Sequence, residues 1–240
     1  MRRMDLALFE APAEGTPRRP PQRRPREHDD QPPQRLINAP WAAAFVASVI
    51  VGGYAIQSQF QPQSVMMSFG FSSADLYEGH VLRLLTYIFL HGNWAHALMN
   101  AAFALAFGAP VARWFGERLA SAALFFTYYL TCGILAAAAY ALIHPGKQVL
   151  VVGASGAVSG LMGGAARVIA GQGDVGPILS RPVFAMGASW LILNLLFAVV
   201  GGALIPGSGG ADVAWEVHLA GFVAGVLILT PFAWLGRRLP

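Results

Sequence analysis

A serine framed by glycine, in Gly153-Ala154-Ser155-Gly156, and a histidine, His218, stand in two separate apolar stretches of the chain. A hydroxyl in a glycine-framed turn is the usual setting of a nucleophile, and an imidazole is the usual base that draws off its proton. The chemistry of such a pair is acyl transfer. An ionisable side chain inside a membrane-length apolar segment is costly to keep there, which makes it a functional candidate by default. A third group precedes both: His91-Gly92-Asn93-Trp94-Ala95-His96-Ala97-Leu98-Met99-Asn100. His96 and Asn100 are four residues apart and share a helix face. Neutral donors aimed at one point can stabilise a developing oxyanion. The spacing of His91 and His96 is not that of a helical zinc-protease motif, and no neighbouring carboxylate completes a metal site.

The elements that must position these groups follow from composition. Hydrophobic residues make up 55% of the chain, charged residues 12%, and the mean hydropathy is +0.52. A soluble domain carries roughly twice that charge. The apolar residues fall in blocks of about twenty, the length that crosses a bilayer's hydrocarbon at about 1.5 Å per residue. The chain is therefore expected to be an all-α, polytopic membrane protein. Cys132 is the single cysteine, so no intrachain disulfide framework exists, and it reads as a small core residue.

Two regions are expected. Residues 1–37 hold prolines, Gln and eight arginines with almost no apolar periodicity, the composition of a disordered segment. Beside anionic lipid their basic groups would also favour the membrane surface, but topology is the better role for them. Residues 38–240 form the membrane region, with spans expected near 39–57, 94–113, 119–143, 151–170, 183–203 and 213–235. If both termini lie on one side, fourteen of the sixteen basic residues fall on that side, and only Arg83 and Lys147 on the other. That asymmetry places the N- and C-termini in the cytoplasm. The connection 58–93 is long enough to have structure of its own. Its Val65, Met66, Met67, Phe69 and Phe71 suit a partly interfacial position. The Gly-rich connection Gly201–Asp212 fits either a linker or a gate.

Local patterns refine the picture. Val149 to Val152 read as an extended stretch dipping towards Gly153, with a helix starting near Ser155. Irregular backbone at that depth needs protein or a water cavity around it. A helix starting there leaves unpaired N–H groups and a positive dipole end beside the serine. Gly156, Gly160 and Gly164 also recur every four residues, so a plain helix-packing face is the competing reading of the same segment. Gly221 and Gly225 share the helical face of His218 and offer a matching stripe. Counted from an Asp212 helix start, His218 would sit about two turns in, roughly 9 Å. A satisfied core histidine is the alternative for His218, and an interhelical hydrogen bond of about 1 kcal/mol is the alternative for Asn100.

Taken together, His91-x4-His96-x3-Asn100, Gly153-Ala154-Ser155-Gly156 and His218-x2-Gly221-x3-Gly225 resemble the rhomboid family of intramembrane serine proteases. The resemblance covers about residues 38–240, with three motifs in the family's order on six spans. It implies a six-helix rhomboid-like bundle in which Ser155 is the nucleophile and His218 the general base. It also implies that His96, Asn100 and the Ser155 backbone N–H form the oxyanion hole, and that His91 is structural. No metal or organic cofactor and no nucleic acid is implied. The partners would be the lipid bilayer and transmembrane protein substrates, and the location a bacterial inner membrane. A non-proteolytic relative that binds or escorts transmembrane clients is the alternative.

Two positions depart from the family pattern. Leu82 stands where many relatives carry Trp beside Arg83, and Ser159 stands where an aromatic ring commonly packs on the histidine. The loop and the base must then find other supports, a Ser159 hydroxyl bonded to His218 being one. Glu216, on another helix face from His218, is not expected as a third member of a triad, and Asp212 reads as a helix cap.

Overall fold

The computed structural model describes residues 39–200 and 214–236. The expected tail, the connection Gly201–Asp212 with its possible cap, and Arg237 and Arg238 lie outside the described residues. Among the described residues nine α-helices run in the order α1 (Trp41–Gln57), α2 (Pro62–Phe69), α3 (Ser73–Tyr77), α4 (Arg83–Thr86), α5 (Trp94–Phe115), α6 (Leu119–Ile143), α7 (Ser155–Ala170), α8 (Arg181–Val200) and α9 (Trp215–Gly236). The described residues form no strand beyond isolated bridges. The fold is a helical membrane bundle.

Six long helices occupy the six expected stretches. By length and composition α5, α6, α8 and α9 are apolar enough to cross a membrane, and α1 is a shorter apolar helix. At 1.5 Å per residue, α7 with its 16 residues reaches only about 24 Å. It is nonetheless the centre of the bundle, touching α5, α6, α8 and α9, and its residues from Gly156 to Val168 are all buried. Small residues make that possible. A methyl group at Gly221 would collide with the Gly156 carbonyl, and one at Gly225 with the Gly160 carbonyl, so the backbones of α7 and α9 touch. Close approach of this kind is how helices associate where no hydrophobic drive exists. From α6, the Tyr128 hydroxyl lies 3.1 Å from the Gly160 carbonyl and 2.8 Å from that of Gly225, locking the seam from the side. Cys132 is buried against Gly160, as a core residue.

Arg167 secures the far end of the same seam. It is buried, and its guanidinium donates to the Gly176 carbonyl (2.6 Å), the Val226 carbonyl (2.6 Å) and the Thr230 hydroxyl (2.9 Å). Three charge-assisted bonds make burial of that cation tolerable.

The connection between α1 and α5 is built, not slack. Ser72 and Asp75 form a capping box on α3, and Arg83 donates to Asp75 at 2.6 Å. Burial pushes the Asp75 carboxyl up, but the Ser72 hydroxyl, the Arg83 guanidinium and the Ser72 amide outweigh it and hold it below its ordinary value. Leu82 is 74% exposed and anchors nothing, so the loop is held through Arg83 and its backbone instead. Phe71 and Val151 exchange two backbone hydrogen bonds, Phe71 N–H to Val151 O at 3.0 Å and Val151 N–H to Phe71 O at 2.6 Å. The loop is thereby tied to the strand-like approach to α7. Of the five apolar residues expected at the interface, Met67 and Phe69 are exposed on α2, Val65 and Met66 are half-buried, and Phe71 is instead fully buried in the core.

Candidate active site

Four helices bring their side chains to one place. Residues 149–152 are non-helical and bridge to Phe71 through Val151, Gly153 takes φ +124°, and α7 begins at Ser155 with no side chain capping it. The first N–H groups of α7 therefore have no intrahelical or side-chain acceptor. The Gly153 N–H is held by the Tyr87 carbonyl at 3.0 Å, and the Tyr87 hydroxyl donates to the Gly133 carbonyl of α6 at 2.7 Å. The turn that carries the serine is pinned from both sides.

Ser155 Oγ lies 2.8 Å from His218 Nε2. The depth expectation needs one correction: α9 begins at Trp215, so His218 lies in its first turn, not two turns in. Ser155 opens α7 in the same way, and the glycine stripes beneath both residues bring the two helix starts together. Glu216 turns away and pairs with His144 at 2.9 Å.

Ser159 does not reach His218. Its hydroxyl donates to the Ser155 carbonyl at 2.7 Å, the back-bond a serine commonly makes to the residue four earlier in a helix. The aromatic cover comes from α8: the Trp190 ring centroid is 5.9 Å from that of His218, at 38°. Asn194, one turn further along α8, was not singled out in the sequence. It is completely buried, with Oδ1 2.7 Å from His218 Nδ1. The available signal was a lone amide in Leu191-Ile192-Leu193-Asn194-Leu195-Leu196, since polar groups within spans are functional candidates.

His96 and Asn100 approach from α5. The Asn93 side chain caps this helix by accepting from the His96 N–H at 2.9 Å. Gly92 N–H makes a long contact, 3.5 Å, to His96 Nδ1, an arrangement that suits the hydrogen on Nε2. A methyl group at Gly153 would lie 2.8 Å from His96 Nε2 and 3.8 Å from Ser155 Oγ. His96 thus packs directly on Gly153, close to the serine hydroxyl, and only a residue without a side chain fits there. The Asn100 amide donates to the His96 carbonyl at 2.9 Å and, with Ser155, lines a cavity of about 20 Å³. That cavity shares Phe103, Phe107, Met162 and Trp190 with an open apolar cleft of about 560 Å³ lined by α5, α7 and α8.

His91 stands behind this group. It is fully buried, its backbone exchanges hydrogen bonds with the Gln57 side chain (2.9 and 3.0 Å), and its ring lies 5.1 Å from that of His96. Among the described residues no group of three or more His, Cys, Asp or Glu side chains is placed to hold a metal.

A helical membrane bundle with a serine–histidine contact at the start of two glycine-packed helices is a narrow class. The family model described as Rhomboid domain matches residues 78–234, and the chain belongs to that family, one of intramembrane proteases. Comparison with curated proteins returns no match.

Proposed function

We propose that this protein is an intramembrane serine endopeptidase that cuts peptide bonds in or beside transmembrane segments of other membrane proteins. The observation that carries the reading is the 2.8 Å contact between Ser155 Oγ and His218 Nε2. His218 accepts the Ser155 proton as the oxygen attacks the scissile carbonyl. The oxyanion develops beside Ser155, with His96 Nε2, the Asn100 amide and the N–H groups that open α7 as its donors; Asn100 faces the same cavity as Ser155. His218 then gives its proton to the leaving amine, and water resolves the acyl-enzyme. The apolar cleft that meets the serine's cavity suits a segment arriving from lipid. In this reading the N- and C-termini face the cytoplasm of a bacterial inner membrane, and the dyad lies towards the opposite face.

The test is a fluorophosphonate probe on the purified protein, with cleavage of a model transmembrane substrate measured alongside. Labelling and cleavage should both vanish in Ser155→Ala and His218→Ala with the fold retained. A wild-type protein that neither labels nor cleaves would favour the client-binding alternative.

A further inference from the structure

We propose that Asn194 is a positioning residue, the third member of a Ser155–His218–Asn194 relay that decides which nitrogen of His218 carries the proton; this rests on the protease reading above. The argument starts at the far end of the relay. Asn194 Nδ2 donates to the Trp190 carbonyl at 2.8 Å, and a carbonyl can only accept. That bond fixes the amide's orientation, so the atom 2.7 Å from His218 Nδ1 is the amide oxygen. An amide oxygen also only accepts, and Nδ1 must therefore carry the hydrogen. The lone pair is left on Nε2, the atom facing the Ser155 hydroxyl. Every hydrogen bond in the relay points one way, from Ser155 through His218 and Asn194 to the helix backbone.

Burial supports the same assignment. Most of α8 faces outward, and among its described residues only Val183 and Asn194 are buried. An amide is an expensive group to place there, and an apolar side chain of similar size would fill the position without desolvation. Packing alone gives no reason for asparagine. One turn of α8 thus treats the imidazole twice: Asn194 holds its edge and Trp190 covers its ring. The holder is uncharged. It orients the base through a dipole and places no second ion in the bundle when His218 takes the proton.

Nitrogen NMR on isotope-labelled histidine tests this directly, with the His218 signal assigned by its loss in His218→Gln. Steady-state cleavage is measured on wild type, Asn194→Leu and Asn194→Asp. The wild type should show a single tautomer, protonated on Nδ1. Asn194→Leu should lose that tautomer and at least about tenfold in kcat, with KM within about twofold, because an interaction expressed mainly in the chemical step has been removed. Asn194→Asp, which keeps an acceptor, should restore the tautomer and recover most of kcat. A wild-type His218 protonated on Nε2 would overturn the proposal, and so would an Asn194→Leu protein with unchanged tautomer and kcat. If Asn194→Leu fails to fold, the wild-type tautomer decides alone. A wild-type protein with the Nδ1 proton in place but no probe labelling would count against the protease reading and leave the relay standing.

Discussion

Gly221 lies directly on the carbonyl of Gly156, so the residue after the serine and the residue three past His218 meet backbone to backbone. The contact sets the separation of the two helix starts. Gly221→Ala should force α7 and α9 apart at the dyad, and overpacking of this kind costs about 1–3 kcal/mol. The expected result is a lower melting temperature together with nearly complete loss of probe labelling. Gly225→Ala makes the same collision one turn deeper, against Gly160. It should cost similar stability while keeping more activity per folded molecule. Equal activity losses in the two variants would show that the seam acts as a rigid whole.

Gly153 has no room for a side chain. Gly153→Ala places a methyl group against His96 Nε2 and also strains a backbone at φ +124°. Turnover should fall by at least about 10²-fold, the scale on which a lost oxyanion donor is felt. Asn100→Ala should lose about 10²–10³-fold if its amide donates in the transition state. Loss of thermal stability with turnover per folded molecule unchanged would instead mark Asn100 as a helix-packing residue.

Ser159 and Trp190 separate two ways of supporting the base. Because the Ser159 hydroxyl is spent on the Ser155 carbonyl, Ser159→Ala should change turnover by less than about threefold. Trp190→Leu removes the cover on His218 and should lower kcat by about tenfold, a loss of roughly 1.4 kcal/mol. Comparing kcat at matched folded fraction checks both.

Asp75 gives the stability a pH dependence. Its carboxyl is held below its ordinary value, so its contribution is fully present above about pH 4, near the value in an unfolded chain, and is lost as pH falls through the lower folded value. Asp75→Asn should lower the melting temperature at neutral pH and flatten its decline below about pH 4. Thermal unfolding in detergent across that range reads the effect directly.

Much of this arrangement was legible in the chain because it is local. Four branched residues before Gly153 mark the extended approach, and the glycines at 156, 160, 221 and 225 mark the two faces that meet. What escaped is what only tertiary geometry decides. On α8 nearly every residue is apolar, so no periodicity says which one turns inward; the packing of that helix against α7 and α9 selects Asn194 and Trp190. Ser159 invited a bond to His218 by its position, but its own helix offered a nearer acceptor. Arg167 read as one more basic residue on the tail's side of the membrane, whereas its long side chain reaches carbonyls 9 and 59 residues away in sequence. A stripe of small residues can be read from spacing, but the partner of a single long side chain cannot.

The burial of α7 has a consequence for how the protein is made. Thirteen of its sixteen residues are covered by neighbouring helices, and its sequence combines four glycines with Arg167. Such a segment gains little by entering lipid alone, since glycine offers almost no apolar area and its last turn carries a cation that needs protein partners. Of the helices that cover α7, α5 and α6 precede it in the chain. α9 emerges later, bringing both the backbone acceptor for Arg167 and the imidazole for Ser155. Until it docks, the nascent protein carries a serine without a base. On the protease reading, the dyad is then complete only once the last helix has docked.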